Sequence, residues 1–210
     1  ADVPVIRKPR VALLSSGDEL TPIGHPLSAG MIYDVNSYTL GALLEANGCE
    51  IIPLGVAADT PESIKAALAK AQDADLIVSS AGVSMGSFDF IKDIIEKDGE
   101  LNFWRINMRP GKPLTFGHYQ NLPFIGLAGN PVSAFIGFMV FVRPVIAKLL
   151  GTENEDHQLN HAHLNEAISS DGRESYLRAK VEQQNGELRA HLTGHQGSGN
   201  LFSMVQANAL

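Results

Sequence analysis

Residues 75–89 read Asp75-Leu76-Ile77-Val78-Ser79-Ser80-Ala81-Gly82-Val83-Ser84-Met85-Gly86-Ser87-Phe88-Asp89, an apolar run that breaks into a glycine loop and enters a helix-like segment over 88–97. The order is strand, loop, helix. Such a junction lets backbone N–H groups converge on an anion at the helix start, and Ser79, Ser80, Ser84, Ser87 and Asp89 are placed to touch phosphate or metal. The same residues also suit a tight turn with Asp89 as helix N-cap, since Gly and Asp are the default residues of turns and caps. The rest of the chain has to decide between the two.

Working outward, apolar runs alternate with helical patterns from residue 10 to residue 150. This is the signature of βαβ units around a mostly parallel sheet with helices on both faces, an α/β fold. The spacing predicts strands at 10–15, 50–55, 75–80, 101–107, 113–117 and 123–127. Residues 36–47 place Leu40, Leu43 and Leu44 on one helical face and stop before Gly48, a suitable C′ residue. A second helix opens at Thr60-Pro61, cap and first helical residue, and continues through Ile64, Ala67, Leu68 and Ala71. Asn130-Pro131 opens another in the same way, apolar to residue 150 and kinked or reset near Pro144.

After Gly151 the texture changes. Residues 152–160 are polar and linker-like, and the following stretch alternates with period two. Residues 176–183 against 187–192, joined by Asn185-Gly186, predict a hairpin with Leu177, Ala179 and Val181 on one strand and Leu188, Ala190 and Leu192 on the other. The expected organisation is an α/β domain over 1–151 followed by a small all-β, barrel-like domain over 152–210.

Composition narrows the function classes. The 210-residue chain is 44% hydrophobic and 19% charged, which excludes wholesale disorder, and its net charge of -7 argues against nucleic acid or an anionic membrane as the main partner. Any anionic ligand needs a local basic pocket. The longest apolar run, 134–142, stops at Arg143, well short of the roughly 20 residues of a spanning helix, so no transmembrane segment is expected. A single cysteine, Cys49, excludes an internal disulfide, and with no signal-like N-terminus it points to a reducing cytoplasm. The start at Ala1 without Met suggests an excised fragment or a processed terminus.

In an open α/β sheet, ligands bind beyond the carboxyl ends of the strands. Five segments there carry suggestive chemistry: Ser15 to Leu20, Ala57 to Pro61, the 79–89 loop, Arg109 to Pro113, and Gly126 to Ser133. Glu19, Asp59 and Asp89 bring three carboxylates from three strand ends, the kind of set that holds Mg²⁺ against a phosphate. Arg109 and Lys112 flank a Pro-Gly turn, with Arg105 upstream, and suit a tetrahedral oxyanion. Gly129, Asn130 and Ser133 stand at a helix start as a second candidate anion cradle. No Gly-x-Gly-x-x-Gly follows the first strand and no Walker loop occurs, so neither a dinucleotide fold nor a P-loop is supported. His157, His161 and His163 sit in or beside the polar linker, away from cysteine, and read as solvated.

Taken together, these segments resemble the MoeA-type molybdopterin molybdenumtransferase family, whose eukaryotic relatives include the gephyrin E domain. The resemblance rests on Ser-Gly-Asp-Glu-Leu at 16–20, Ile-Tyr-Asp-Val-Asn at 32–36, Gly-Val-Ser-Met-Gly at 82–86 with Asp89, Arg-Pro-Gly-Lys-Pro-Leu at 109–114, Gly-Asn-Pro-Val-Ser at 129–133 and Gln-Gly-Ser-Gly at 196–199. It implies a transferase of molybdenum cofactor biosynthesis, in which adenylylated molybdopterin and molybdate give the cofactor and AMP with Mg²⁺. It implies Glu19, Asp59 and Asp89 as catalytic acids, with Asp59 and Asp89 on Mg²⁺. It further implies that Ser16, Gly17, Gly82, Val83, Ser84, Gly86, Arg109, Gly111, Lys112, Gly129, Asn130, Pro131 and Ser133 contact substrate. A homodimer in the full-length protein and a MogA-type partner enzyme are also implied. Ala81 and Ala128 depart from the Gly and Pro usual in the family. Two other readings compete, a MogA-type adenylyltransferase and a noncatalytic scaffold. The first is disfavoured by Ser84 and the absence of Arg in the 79–89 loop, the second by retention of all three acids.

Overall fold

The first strand, β1 (Arg10–Ser16), is buried almost throughout, as a run apolar on both faces must be when it lies inside a sheet covered on both sides. The computed structural model describes residues 3–80, 90–152 and 160–210. In chain order β1 is followed by β2 (Leu20–Thr21), β3 (Ile32–Tyr33), α1 (Val35–Ala46), β4 (Glu50–Ala57), α2 (Pro61–Leu68), β5 (Leu76–Ser80), α3 (Phe90–Asp98), β6 (Gly99–Trp104), β7 (Met108–Arg109), β8 (Leu114–Tyr119) and β9 (Leu122–Leu127). Then come α4 (Pro131–Gly137), a π-helical turn (Phe138–Val142), α5 (Arg143–Leu149), β10 (His163–Leu164), β11 (Glu174–Ser175), β12 (Ala179–Gln184), β13 (Glu187–Leu192) and α6 (Phe202–Gln206).

Six strands form the main sheet in the order β4-β1-β5-β9-β8-β6. The first four run parallel, while β8 and β6 are antiparallel to their neighbours, so the sheet is mostly parallel as expected. Strand alternation sorts the two cores. Ala12, Leu14, Ile77 and Phe124 pack under α2 and α3 with Ile64, Leu68, Ile91 and Ile95. Val11, Leu13, Leu76, Val78 and Ile125 face α1 and the α4–α5 helix, meeting Leu40, Leu44, Phe138 and Val142.

Capping follows the sequence closely. Asp34 accepts from Ser37 N at the start of α1, Thr60 from Ser63 N at α2, and Asn130 from Val132 N and Ser133 N at α4, with Pro in the first turn of the last two. Gly48, at φ 82, closes α1 by donating to Glu45 O.

Three expectations need correction. The strand expected at 101–107 ends at Trp104, because Arg105 takes φ 72, a left-handed conformation that no strand continues, and β7 then leaves the main sheet to pair with β11. The C-terminal region is a small β unit but not purely β, since α6 closes it. Its sheet has three strands, β10-β13-β12, and no pairing among the described residues closes it into a barrel. Within it the Asn185-Gly186 hairpin forms as expected, with φ 51 and 86 at the two turn residues.

The helix expected from Pro131 to residue 150 forms. Arg143 and Pro144 interrupt the apolar run but not the helix, so Pro131–Leu149 is 19 residues long and apolar enough to cross a membrane by length and composition. Its side chains go into the cores instead: Ala134, Phe138, Val142 and Ile146 pack on the sheet, and Val132 and Ile136 pack with Met108. The reset expected near Pro144 is the π-helical turn before α5, which adjusts the helix where the proline lacks an N–H.

Candidate functional site

Register brings the expected segments to one rim. Ser16 pairs with Ala57, Ser15 with Ser80, Ser80 with Leu127, and Leu127 with Leu114. The carboxyl ends of β4, β1, β5 and β9 therefore line up side by side. The turn that precedes β8 joins them, because β8 is antiparallel.

The acidic part of the rim lies beyond β1 and β4. Gly17 N donates to Ala57 O at 3.2 Å, and Asp59 N donates to the Asp18 carboxylate at 3.1 Å. Gly17 takes φ 152, a backbone conformation that suits glycine, and Glu19 lies back over it, its Oε2 2.8 Å from where a Cβ would stand. Partial burial raises the Asp59 carboxyl above its ordinary value, the negative charges of Asp18 and Glu19 push it the same way, and the Asp18 backbone N–H partly offsets them. The Ser16 hydroxyl beside Asp59 works weakly against that rise. Among the described residues no group of three or more His, Cys, Asp or Glu side chains is gathered closely enough to hold a metal.

The basic part lies at the β7–β8 turn. Arg109 is exposed and its Nη1 reaches Asp171 Oδ2 at 3.5 Å, while Lys112 is exposed. Gly111, at φ 102, is buried beside Met108 and α4: a Cβ there would stand 2.6 Å from Met108 Cε and 3.8 Å from Ser133 O. That close approach sets the basic turn against the start of α4. Asn130 is occupied as a cap, so its side chain organises the Gly129–Ser133 start and offers no free acceptor from Oδ1. Ser133 is buried in the first turn.

Thus Ser16, Gly17, Glu19 and Asp59 form one group, and Arg109, Gly111, Lys112, Gly129, Asn130, Pro131 and Ser133 another, around the ends of β5 and β9. Gly82, Val83, Ser84, Gly86 and Asp89 lie outside the described residues. Three contributors escaped the sequence reading of the site. Asp34 and Asn36 are both buried; Asp34 accepts from Ser15 Oγ at 3.3 Å, and Asn36 donates to Gly129 O at 2.8 Å. Their signal was present, as buried polar residues inside the 32–36 stretch at a helix start. Asp171, from 62 residues downstream, had none.

Comparison with known proteins now bears on this rim. Residues 12–148 match the family described as a probable molybdopterin binding domain, and residues 161–210 match the MoeA C-terminal region, domain IV. The chain belongs to the MoeA-type molybdopterin-binding family. It is 40% identical to the molybdopterin molybdenumtransferase of Haemophilus influenzae, over 99% of this chain and 52% of that protein. The solved MoeA protein of Pyrococcus horikoshii superposes with a TM-score of 0.80 at 34% identity, covering 96% of this chain and 49% of that one. The tungsten cofactor synthesizing protein MoaB of Pyrococcus furiosus shares the α/β fold alone, with a TM-score of 0.52 at 16% identity over 69% of this chain and 97% of its own. The chain spans about half the length of the curated MoeA-type relatives named molybdopterin molybdenumtransferase that it matches.

Proposed function

We propose that this chain, read as an α/β domain over 1–151 and a β unit over 152–210, is the substrate-binding part of a molybdopterin molybdenumtransferase. It would hold adenylylated molybdopterin at the rim while molybdate is inserted and AMP leaves. The observation that carries the reading is the meeting of an acidic and a basic edge around the same strand ends, with Asp59 and Glu19 on one side and Arg109 and Lys112 on the other. That polarity suits a ligand with an anionic bridge, one edge taking phosphate or molybdate oxygens and the other their counter-ion.

The donor set fits Mg²⁺. Asp59 and Glu19 supply hard oxygen, the Asp59 carboxyl is raised by partial burial and then by the charges of Asp18 and Glu19, which a cation would offset, and Mg²⁺ keeps waters and needs only one or two carboxylates beside substrate phosphates. Asp59, with Asp89, would hold the ion, which when bound neutralises charge on the phosphoanhydride oxygens. Glu19, folded over Gly17, would orient water. Arg109 and Lys112 would hold the tetrahedral oxyanion, and Gly111 keeps the turn low enough for both to face it.

The C-terminal match to MoeA domain IV favours this reading over a MogA-type adenylyltransferase. A homodimer of the full-length protein, a cytoplasmic setting and a MogA-type partner enzyme belong to the same proposal; exposed Ile23, Leu27, Ile32 and Tyr33 around β2 and β3 support a surface covered by another chain segment or copy. The test is molybdate-dependent AMP release from adenylyl-molybdopterin by the full-length protein. The wild type should release AMP, and Asp59→Asn and Asp89→Ala should lose most of that activity; undiminished release by both variants would overturn the assigned roles.

A further inference from the structure

Arg109 stands at the rim, but the strand that carries it lies outside the main sheet. Arg105 turns the chain out of β6 at φ 72, and the loop returns to β8 through Gly111 at φ 102. Its base is closed from within, Arg105 N donating to Leu114 O at 2.9 Å and Ile106 N to Lys112 O at 3.0 Å. Beyond that base β7 pairs with β11 and, among the described residues, with no other strand. The register sets Glu174 beside Met108 and Ser175 beside Arg109, and the next residue, Tyr176, donates its N–H to Arg109 O at 2.8 Å. The C-terminal unit therefore supplies the strand partner of a rim residue, by the same strand addition with which separate chains grip a sheet edge.

Side chains fasten this pairing. Met108 is buried with Val132 and Ile136 of α4, and Tyr176 and Met204 pack on that cluster from the C-terminal unit. The Tyr176 hydroxyl donates to Glu174 Oε1 at 2.7 Å, which ties the ring back to β11. Just beyond it the chain is locked to the last turn and α6: Arg178 N donates to Gln196 Oε1 at 2.8 Å, and Arg178 Nε donates at 3.0 Å to the hydroxyl of Ser203, the neighbour of Met204. Tyr176 and Met204 are thus parts of one braced unit, and that unit holds the backbone of β7.

Two influences on Arg109 are separate. Asp171 approaches the guanidinium at 3.5 Å, whereas β11 holds the main chain from which the side chain swings. A side chain rooted in a packed strand has less freedom to lose when an anion binds than one rooted in a free loop. We propose that Tyr176 is a positioning residue: through the β7–β11 pairing it fixes the backbone of Arg109, so the C-terminal unit sets the affinity of the basic edge for its oxyanion without touching that oxyanion. The assignment rests on the proposed function, under which the basic edge takes molybdate.

The test follows AMP release from adenylyl-molybdopterin against molybdate concentration, with amide hydrogen exchange of the ligand-free protein beside it. Full-length wild type is compared with Tyr176→Ala, Tyr176→Phe, Met204→Ala, Arg109→Ala and the double variant of Tyr176→Ala with Arg109→Ala. Tyr176→Ala should raise the KM for molybdate about fivefold with kcat within about twofold, the pattern of an interaction made equally before and during reaction. Exchange should quicken at the Arg109 and Gly111 amides while β1 and β5 keep their protection. Tyr176→Phe should keep the wild-type KM, because ring and N–H remain. Met204→Ala loosens the same docking from α6 and should move KM the same way, which decides the matter if Tyr176→Ala does not fold. On the Arg109→Ala background Tyr176→Ala should cause no further loss, since residues acting through one contact are not additive. An equal fold-loss on both backgrounds overturns the proposal, and so does an unchanged KM in Tyr176→Ala or a loss in Tyr176→Phe as large as in Tyr176→Ala. If the wild type releases no AMP at any molybdate concentration, the proposed function fails and exchange alone decides the positioning: faster exchange at Arg109 and Gly111 in Tyr176→Ala upholds it, and unchanged exchange overturns it.

Discussion

Asn36 donates its side-chain amide to the Gly129 carbonyl across 2.8 Å, tying the start of α1 to the loop that opens α4. The two residues lie 93 apart in sequence, yet both stand at the same rim, one beside the acidic turn and the other beside the basic one. Asn36→Ala leaves a carbonyl without its donor and frees the loop that Gly111 packs against. Stability should fall by about 1–2 kcal/mol in urea unfolding, and AMP should bind more weakly. Unchanged AMP affinity would mean that the tie serves the fold alone.

Arg109 shares Asp171 with a stronger rival. Arg173 donates to the same carboxylate through Nε at 3.0 Å and again through Nη2, whereas Arg109 approaches at 3.5 Å. Hydrogen bonding from Arg173, before the charge of Arg109, holds the Asp171 carboxyl down at about 2. A depressed acid contributes its stabilisation above the ordinary carboxylate range and loses it only as pH falls towards 2, so the pairing is constant near neutrality. Asp171→Asn should lower the melting temperature only slightly, because an exposed pair contributes little, and should raise AMP affinity up to about fivefold at low salt, the gain fading at high salt. A fall in affinity would show that Asp171 aims Arg109 instead of competing for it.

Asp59 behaves in the opposite sense. Burial and the charges of Asp18 and Glu19 raise its carboxyl, so between its unfolded and folded values the native state holds the extra proton and stability rises as pH falls through that window. Asp59→Asn should flatten this slope in thermal unfolding measured from mildly acidic to neutral pH, and should raise stability at neutral pH by removing a crowded charge. The same substitution should weaken Mg²⁺ binding. A variant with the wild-type slope would place the titration on another group.

Much of this was legible in the sequence, and the reasons are local. Thr60-Pro61, Asn130-Pro131 and Asn185-Gly186 declare two helix starts and a hairpin because cap and turn chemistry is decided within a few residues. The rim segments were found because strand ends in an α/β sheet point one way. What stayed hidden depends on contacts far apart in the chain. Arg105 takes a left-handed φ that its residue type does not announce, so β6 stops early and β7 goes to β11. The Asp171 partner of Arg109 sits in a loop without periodicity.

Cys49 offers a probe that needs no ligand. Burial raises its thiol to about 11, so little thiolate exists at neutral or mildly alkaline pH, and the thiolate is the species that alkylates. Iodoacetamide should leave the folded protein unmodified and label it fully in denaturant. Rapid labelling under native conditions would mean that the β4 edge, where Cys49 precedes Glu50, opens locally.

Arg178 is wholly buried, and among the described residues no carboxylate faces it. Its guanidinium is held by neutral oxygens: Nε donates to Ser203 Oγ at 3.0 Å and Nη2 to Gly197 O at 3.0 Å, while Ser203 Oγ passes its own proton to Asn200 O at 2.6 Å. The Gln196-Gly197-Ser198-Gly199 turn is thereby clamped onto α6, and Gln196 doubles the clamp by bonding both the N–H and the carbonyl of Arg178. Lysine keeps the charge but cannot span two acceptors in a planar fork, so Arg178→Lys should destabilise the C-terminal unit by about 2 kcal/mol. Hydrogen exchange should show the loss at the Ser203 amide, which now donates to Asn200 Oδ1, before it reaches β1 or β5. Equal protection in variant and wild type would show that the turn is held by its own glycines and Gln196, with the arginine a passenger.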